Sequence, residues 1–309
     1  ALEALDRSLL SLDNLRTNVH NPSDYVGEMD EKETPSRNGA LDNSNIAVRS
    51  VCDNKISEFD REGFCIVKDA VSREQLSLLK KCAEDALAAA DKIFEAKNTT
   101  RLGMHVKAQF YVFFNPSNHF PVLYDVNYSN AVMGALRKVS GPNAYLIHDQ
   151  LTLKSPGGSE NLCGAFGWHQ DRYNSDSVKA SHDPFVTCFI PLHEMSDKNG
   201  GLRVIPFSRL PESRGPLLDN DPMFERLEEL AVTPTCNAGD MICWSSSLIH
   251  SSLPNTSKTQ NRWGYIAQFS NTPLAMASRN DCAMRGSQPV NERRSDPSAP
   301  LLHGVANTE

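Results

Sequence analysis

The sequence predicts a mainly β fold with flanking α-helices, of the jelly-roll or barrel kind. Three observations carry that prediction. Short runs rich in β-branched and aromatic residues recur through the second half of the chain. Gly, Pro and Asn turns separate them, and the two longest helical patterns precede them.

In chain order, residues 1–54 read as an N-terminal arm or linker. Leu2, Leu5, Leu9, Leu12 and Leu15 suit a short amphipathic helix, and residues 18–54 are polar and poor in large apolar groups. The strongest helix runs from Ser72 to Lys97. It opens on a Ser72-x-x-Gln75 capping box, and Leu76, Leu79, Ala83, Ala86 and Ala90 form one stripe. Gln109, Tyr111 and Phe113 share one side of an alternating strand. A second helix is expected over Asn127–Ser140, stopped by Gly141-Pro142, and a shorter one over Met223–Leu230. The β-rich runs are Gln150–Gly157, Phe185–Leu192, Asn199–Ser208, Ala238–Trp244 and His250–Asn255. The main domain is expected over 55–275, with residues 276–309 a polar extension packing on it.

Composition sets outer limits. The net charge is −7 with acidic residues spread along the chain, which points away from nucleic acid and from a membrane surface. No apolar run reaches the length of a membrane span, and no signal-peptide pattern is present. Eight cysteines occur without CxxC pairs, so reduced thiols and a cytoplasmic location are expected, with organelle import left open. The terminal arms offer a route to a homo-oligomer.

Chemistry concentrates in Trp168-His169-Gln170-Asp171 and in His250, about eighty residues later. Residues two apart on an extended segment project to one side, so His169 and Asp171 can face a common point. With His250 alongside, two imidazoles and a carboxylate would occupy one face of a metal, the donor set of non-haem Fe(II) oxygenases. A lone His-x-Asp is more often a surface or hydrogen-bonded pair, and Asp149 beside His148 offers a rival pairing. His105, His119 and His148 read as structural histidines. Arg262 follows His250 by about a dozen residues, and its planar fork suits a carboxylate.

These segments, in this order and spacing, resemble the phytanoyl-CoA dioxygenase family of Fe(II)/2-oxoglutarate oxygenases. The resemblance covers roughly residues 55 to 270 and includes Glu58-Phe59-Asp60-Arg61-Glu62-Gly63-Phe64, a helix-to-strand entry. It implies a double-stranded β-helix, cupin-like, with His169, Asp171 and His250 as the iron ligands at one open end. It implies Fe(II), 2-oxoglutarate as co-substrate and O2. Arg262 would bind the far carboxylate, assisted by Ser252; Gln150 and Thr187 would border the co-substrate, and Lys107 is a weaker candidate for the near carboxylate. Thr187 stands where some relatives carry Trp.

For substrate contacts the sequence offers Arg172, Tyr173 and Asn174 after the metal motif, and Gln109 and Tyr111 on the alternating strand. Packing of those aromatics against the sheet is an equally good reading. The implied reaction oxidises a small or medium-sized metabolite, most simply by hydroxylation and otherwise by desaturation or cyclisation, releasing succinate and CO2. Asp171 argues against halogenation, because halogenating relatives carry a small residue there. Two other classes compete: a non-oxidative metal-dependent isomerase or hydrolase on a jelly roll, and a noncatalytic metabolite-binding relative.

Overall fold

The fold comes from a computed structural model that describes residues 57–141, 144–157, 164–171, 185–210 and 222–271. The expected N-terminal arm, the C-terminal extension, and Arg172, Tyr173 and Asn174 lie outside the described residues.

Two antiparallel sheets face each other. The larger contains β1 (Phe64–Val67), β2 (Arg101–Leu102), β3 (His105–Val106), β4 (Phe110–Phe114), β5 (Tyr145–Lys154), β7 (Phe185–Pro191), β9 (Met241–Ser245) and β11 (Arg262–Ser270). Its spatial order is β1-β9-β7-β11-β5-β4-β3-β2. The smaller holds β6 (Phe166–His169), β8 (Leu202–Val204) and β10 (His250–Ser252), with β10 central. From β1 to β5 the paired neighbours are distant in sequence, while β5, β4, β3 and β2 pair in chain order, and the whole is the expected jelly roll, a double-stranded β-helix.

Alternation assigns each strand two jobs. On the outer face of the larger sheet, Tyr111, Phe113, Leu151, Leu153, Tyr265 and Phe269 pack against helices. On the inner face, Phe189, Ile242 and Trp244 meet Leu202, Val204 and Leu248 from the smaller sheet and its flanks.

Helix α1 (Arg73–Ala96) forms where the sequence predicts. Ser72 accepts from Gln75 N, Gln75 reciprocates at Ser72 N, and Leu79, Ala83, Ala86 and Ala90 are buried. The second expected helix forms as α3 (Asn130–Val139), preceded by a separate short helix, α2 (Val122–Asn127), that the sequence pattern does not announce. Ser129 is extended and caps α3 by accepting from Val132 N, so the helix begins at Asn130 and not at Asn127. The expected helix over Met223–Leu230 is a 3₁₀ segment, Pro222–Arg226, leading into α4 (Leu227–Leu230).

Residues 57–62 are helical and enter β1 through Gly63. Its φ is +77°, and a Cβ there would lie 2.8 Å from Leu248 and 2.9 Å from Phe207, so both backbone and packing require glycine. Among the described cysteines, Cys65, Cys82, Cys188, Cys236 and Cys243 are buried free thiols. Among the described residues no helix is long and apolar enough to cross a membrane.

Candidate metal centre

β6 and β10 run antiparallel with His169 directly opposite His250, their ring centroids 4.1 Å apart. Each ring is oriented by its own backbone: His169 Nδ1 lies 2.7 Å from Gly167 O, and His250 Nδ1 lies 3.0 Å from Leu248 O. Nδ1–H donation to those carbonyls leaves both Nε2 lone pairs facing inward, the tautomer a metal ligand needs. Asp171 follows the end of β6. Gln170 secures that segment by donating to Ser247 O at 2.7 Å.

The Asp171 carboxylate is divided in its duties. Oδ2 accepts from Thr187 Oγ1 at 2.7 Å, Trp244 Nε1 at 3.1 Å and Gln268 Nε2 at 3.4 Å. Oδ1 points at the imidazoles, 3.7 Å from His169 Nε2 and 3.5 Å from His250 Nε2. One ligand atom from each of the three residues lies within 4.8 Å of the others, a spacing able to hold one metal ion.

Electrostatics agree with that use. Burial alone would raise the Asp171 carboxyl. The imidazoles of His250 and His169, with hydrogen bonds from Thr187 and Trp244, instead hold it below the ordinary carboxylate value. Burial, reinforced by His169, pushes His250 down to about 4 against the opposing pull of Asp171. A neutral His250 and an ionised Asp171 are the ligating forms.

Arg262 begins β11, 5 % exposed, its guanidinium 4.7 Å over the Phe189 ring. Gly264 makes that seat possible, since a Cβ there would lie 2.0 Å from Phe189 Cε2. Burial lowers Arg262 to about 10, and its Nε has no hydrogen-bond partner among the described residues. Ser252, two residues after His250, is drawn toward the same corner, where its Oγ accepts from Lys154 Nζ at 2.8 Å. Gln150 is half-buried on the inner face, sharing the parity of Lys154 on β5.

The remaining sequence candidates divide. Thr187 reaches the site through Asp171, with Gln268 Nε2 donating to its hydroxyl at 3.2 Å. Lys107 turns toward α1 and pairs with Glu95 at 3.1 Å, so the structure does not bring it to the near-carboxylate role. Tyr111 is also corrected. Its hydroxyl donates to Asp91 at 2.6 Å and its ring meets Phe94 in the helix-side core. Gln109 sits in the turn before β4, where its carbonyl accepts from Ser155 N. Inner-face parity on β4 belongs to Phe110, Val112 and Phe114, so the substrate stripe read from Gln109 and Tyr111 was one residue out of phase. The rival Asp149 faces the helices, accepting from Ser117 Oγ at 2.9 Å and Tyr265 Oη at 2.7 Å. His105 is structural too, its Nδ1 accepting from Val112 N at 3.3 Å.

Sequence reasoning missed Trp244, Gln268 and Lys154. Trp244 and Gln268 carry no motif, and only the pairing of β7 with β9 and β11 brings them to Asp171. Lys154 had a usable signal, four residues beyond Gln150 on a predicted strand and therefore on the same face.

Comparison with known proteins adds the following. Residues 59–262 match the family model described as Phytanoyl-CoA dioxygenase (PhyH). Among solved structures, the chain is similar to the non-heme alpha ketoglutarate dependent epimerase SnoN from nogalamycin biosynthesis (TM-score 0.56, 12 % identity, 84 % of this chain and 94 % of that one). It is likewise similar to EctD from S. alaskensis with 2-oxoglutarate and 5-hydroxyectoine (TM-score 0.56, 20 % identity, 82 % and 84 %). A third is the carbocyclase SnoK from nogalamycin biosynthesis (TM-score 0.54, 14 % identity, 76 % and 92 %). At these identities the likeness is one of fold. A comparison with curated protein sequences found no match.

Proposed function

The chain belongs to the phytanoyl-CoA dioxygenase family, and from that premise we propose that it is an Fe(II)- and 2-oxoglutarate-dependent oxygenase acting on a small or medium-sized metabolite. The observation that carries the reading is the convergence of two imidazole Nε2 atoms and one carboxylate oxygen, with the buried Arg262 paired across the sheet to Lys154, which donates to Ser252 two residues from His250. His169, Asp171 and His250 would hold the iron. The fit rests on both Nδ1 atoms being committed to carbonyls and on Asp171 Oδ2 being committed to Thr187, Trp244 and Gln268. Bound iron and the 2-oxo acid together supply oxygen activation, coupled to release of CO2 and succinate.

The protein's own share is positioning. Arg262 and Ser252 would hold the far carboxylate of 2-oxoglutarate, with Gln150 alongside. Phe189 and Trp244, buried in the interior apolar cluster, would keep water from the reacting centre. Arg172 and Tyr173 remain candidates for substrate contact. Hydroxylation is the preferred outcome. Relatives of the same fold include an epimerase and a carbocyclase, so product mass has to decide.

The test is a metabolite screen for Fe(II)-dependent 2-oxoglutarate consumption, followed by product mass. Gain of one oxygen means hydroxylation, loss of two hydrogens means desaturation or ring closure, and unchanged mass means epimerisation. His169→Ala and Asp171→Ala are each expected to abolish succinate formation and to weaken metal binding by more than about a hundredfold. Turnover that needs neither dioxygen nor keto acid would instead favour a non-oxidative metal enzyme. Silence across the panel with intact metal binding would favour a binding protein.

A further inference from the structure

The chain buries two cations side by side without an acid to match them. Lys154 and Arg262 are direct cross-strand partners on β5 and β11, 1 % and 5 % exposed. Alternation sends both to the inner face. Lys154 Nζ donates to Ser252 Oγ and to Leu253 O, each at 2.8 Å, and lies 5.5 Å from the centroid of the Phe166 ring. Two of its three protons are thus placed and a third is left to give. Neither cation forms an ion pair with a carboxylate among the described residues. The Lys154 backbone is fixed as well, because Asn255 Nδ2 donates to both Lys154 O at 3.0 Å and Gln260 O at 2.6 Å, tying β5 to the loop that leads into β11.

Burying a charge is costly unless it is paired and hydrogen-bonded, and two like charges on neighbouring strands add repulsion. Burial, with Arg262 beside it, drives the Lys154 ammonium well below its ordinary value. Such an arrangement persists in a packed interior when an anion completes it. Ser252 touches Lys154 and lies two residues from His250, so an anion that pairs with these cations would sit at the end of a ligand that also reaches the metal set.

We propose that Lys154 is a positioning residue that shares the far carboxylate of the 2-oxo acid with Arg262, and that this pair makes the site select a dicarboxylic over a monocarboxylic 2-oxo acid. The inference rests on the co-substrate reading above and assigns one more residue to it. The near end of the acid is common to both classes of ligand, so discrimination resides where the second carboxylate meets two cations. A point-charge ammonium on one side and a planar guanidinium on the other fix the carboxylate's tilt as well as its charge.

The experiment is calorimetric binding to the full chain loaded with Mn(II), using 2-oxoglutarate and 2-oxopentanoate, which has the same carbon chain without the far carboxylate. Wild type is expected to bind 2-oxoglutarate at least about a hundredfold more tightly. Lys154→Met is expected to weaken 2-oxoglutarate by about tenfold or more while leaving 2-oxopentanoate within about twofold. Lys154→Gln serves as a second variant that keeps a donor for Ser252. Equal loss of both acids marks a purely structural lysine and overturns the proposal, as does no loss of either. If wild type fails to distinguish the acids and Arg262→Met changes nothing, the co-substrate reading itself falls. If wild type and Arg262→Met behave as expected and the Lys154 variants do not, only the role of Lys154 falls.

Discussion

The two faces of β5 and β11 carry polar groups of opposite character. Toward the helices, Asp149 accepts from Ser117 and from Tyr265, whose hydroxyl in turn accepts from Asn127 Nδ2 at 2.8 Å. Toward the interior, one residue along in parity, Lys154 and Arg262 face each other with no carboxylate beside them among the described residues. Both faces are buried and both belong to the same two strands. Polarity and burial therefore do not separate scaffold from site. Compensation does: a buried network closed by its own side chains holds the fold together, whereas a buried charge that no side chain pairs can serve an anionic ligand.

Arg262→Met tests that contrast most severely. It should cost about a hundredfold in 2-oxoglutarate affinity, the loss of a charge-assisted bidentate contact, yet leave the melting temperature unchanged or higher, because an unpaired buried cation has gone. A large fall in melting temperature would place Arg262 with the scaffold and break the comparison. Tyr265→Phe should do the reverse. It leaves Asp149 and Asn127 each short of a partner, at about 1–3 kcal/mol, and denaturant unfolding should register that with the KM for 2-oxoglutarate unmoved.

A smaller effect concerns pH. The Lys154 ammonium is held well below its usual range, first by burial and then by Arg262. Its charge is present at pH below that lowered value and is lost as pH rises through it, so 2-oxoglutarate affinity should fall as the medium becomes alkaline. Ser252 and the Phe166 ring also face the ammonium, and neither titrates in that range. The slope cannot exceed about tenfold per pH unit for one proton, and Lys154→Met should flatten it.

Much of this is legible in the sequence. The capping box of α1, the strand runs, the His169/Asp171/His250 set and Arg262 depend on local pattern or on motif order. Tyr111 was misassigned because alternation reveals that a strand has two faces without revealing which one is inside. Thr187 could be placed near the site, but its hydrogen bond to Asp171 depends on how β7 lies beside β11. Lys154 was overlooked because an isolated lysine usually belongs to solvent. Only the register with Arg262 and the reach to Ser252 show it to be interior. The start of α3 is set at Asn130 by the capping hydroxyl of Ser129, which contributes nothing to apolar periodicity, and α2 is too short for periodicity to reveal.

Gly264 has a consequence out of proportion to its size. The guanidinium rests on an aromatic ring, and the ring rests on the absence of a methyl group. Refitting this corner for a bulkier or differently charged acid therefore starts at the smallest residue beneath the arginine. Alanine there would dislodge Phe189 and tip the arginine off its perch, altering ligand choice without touching any atom that contacts the ligand.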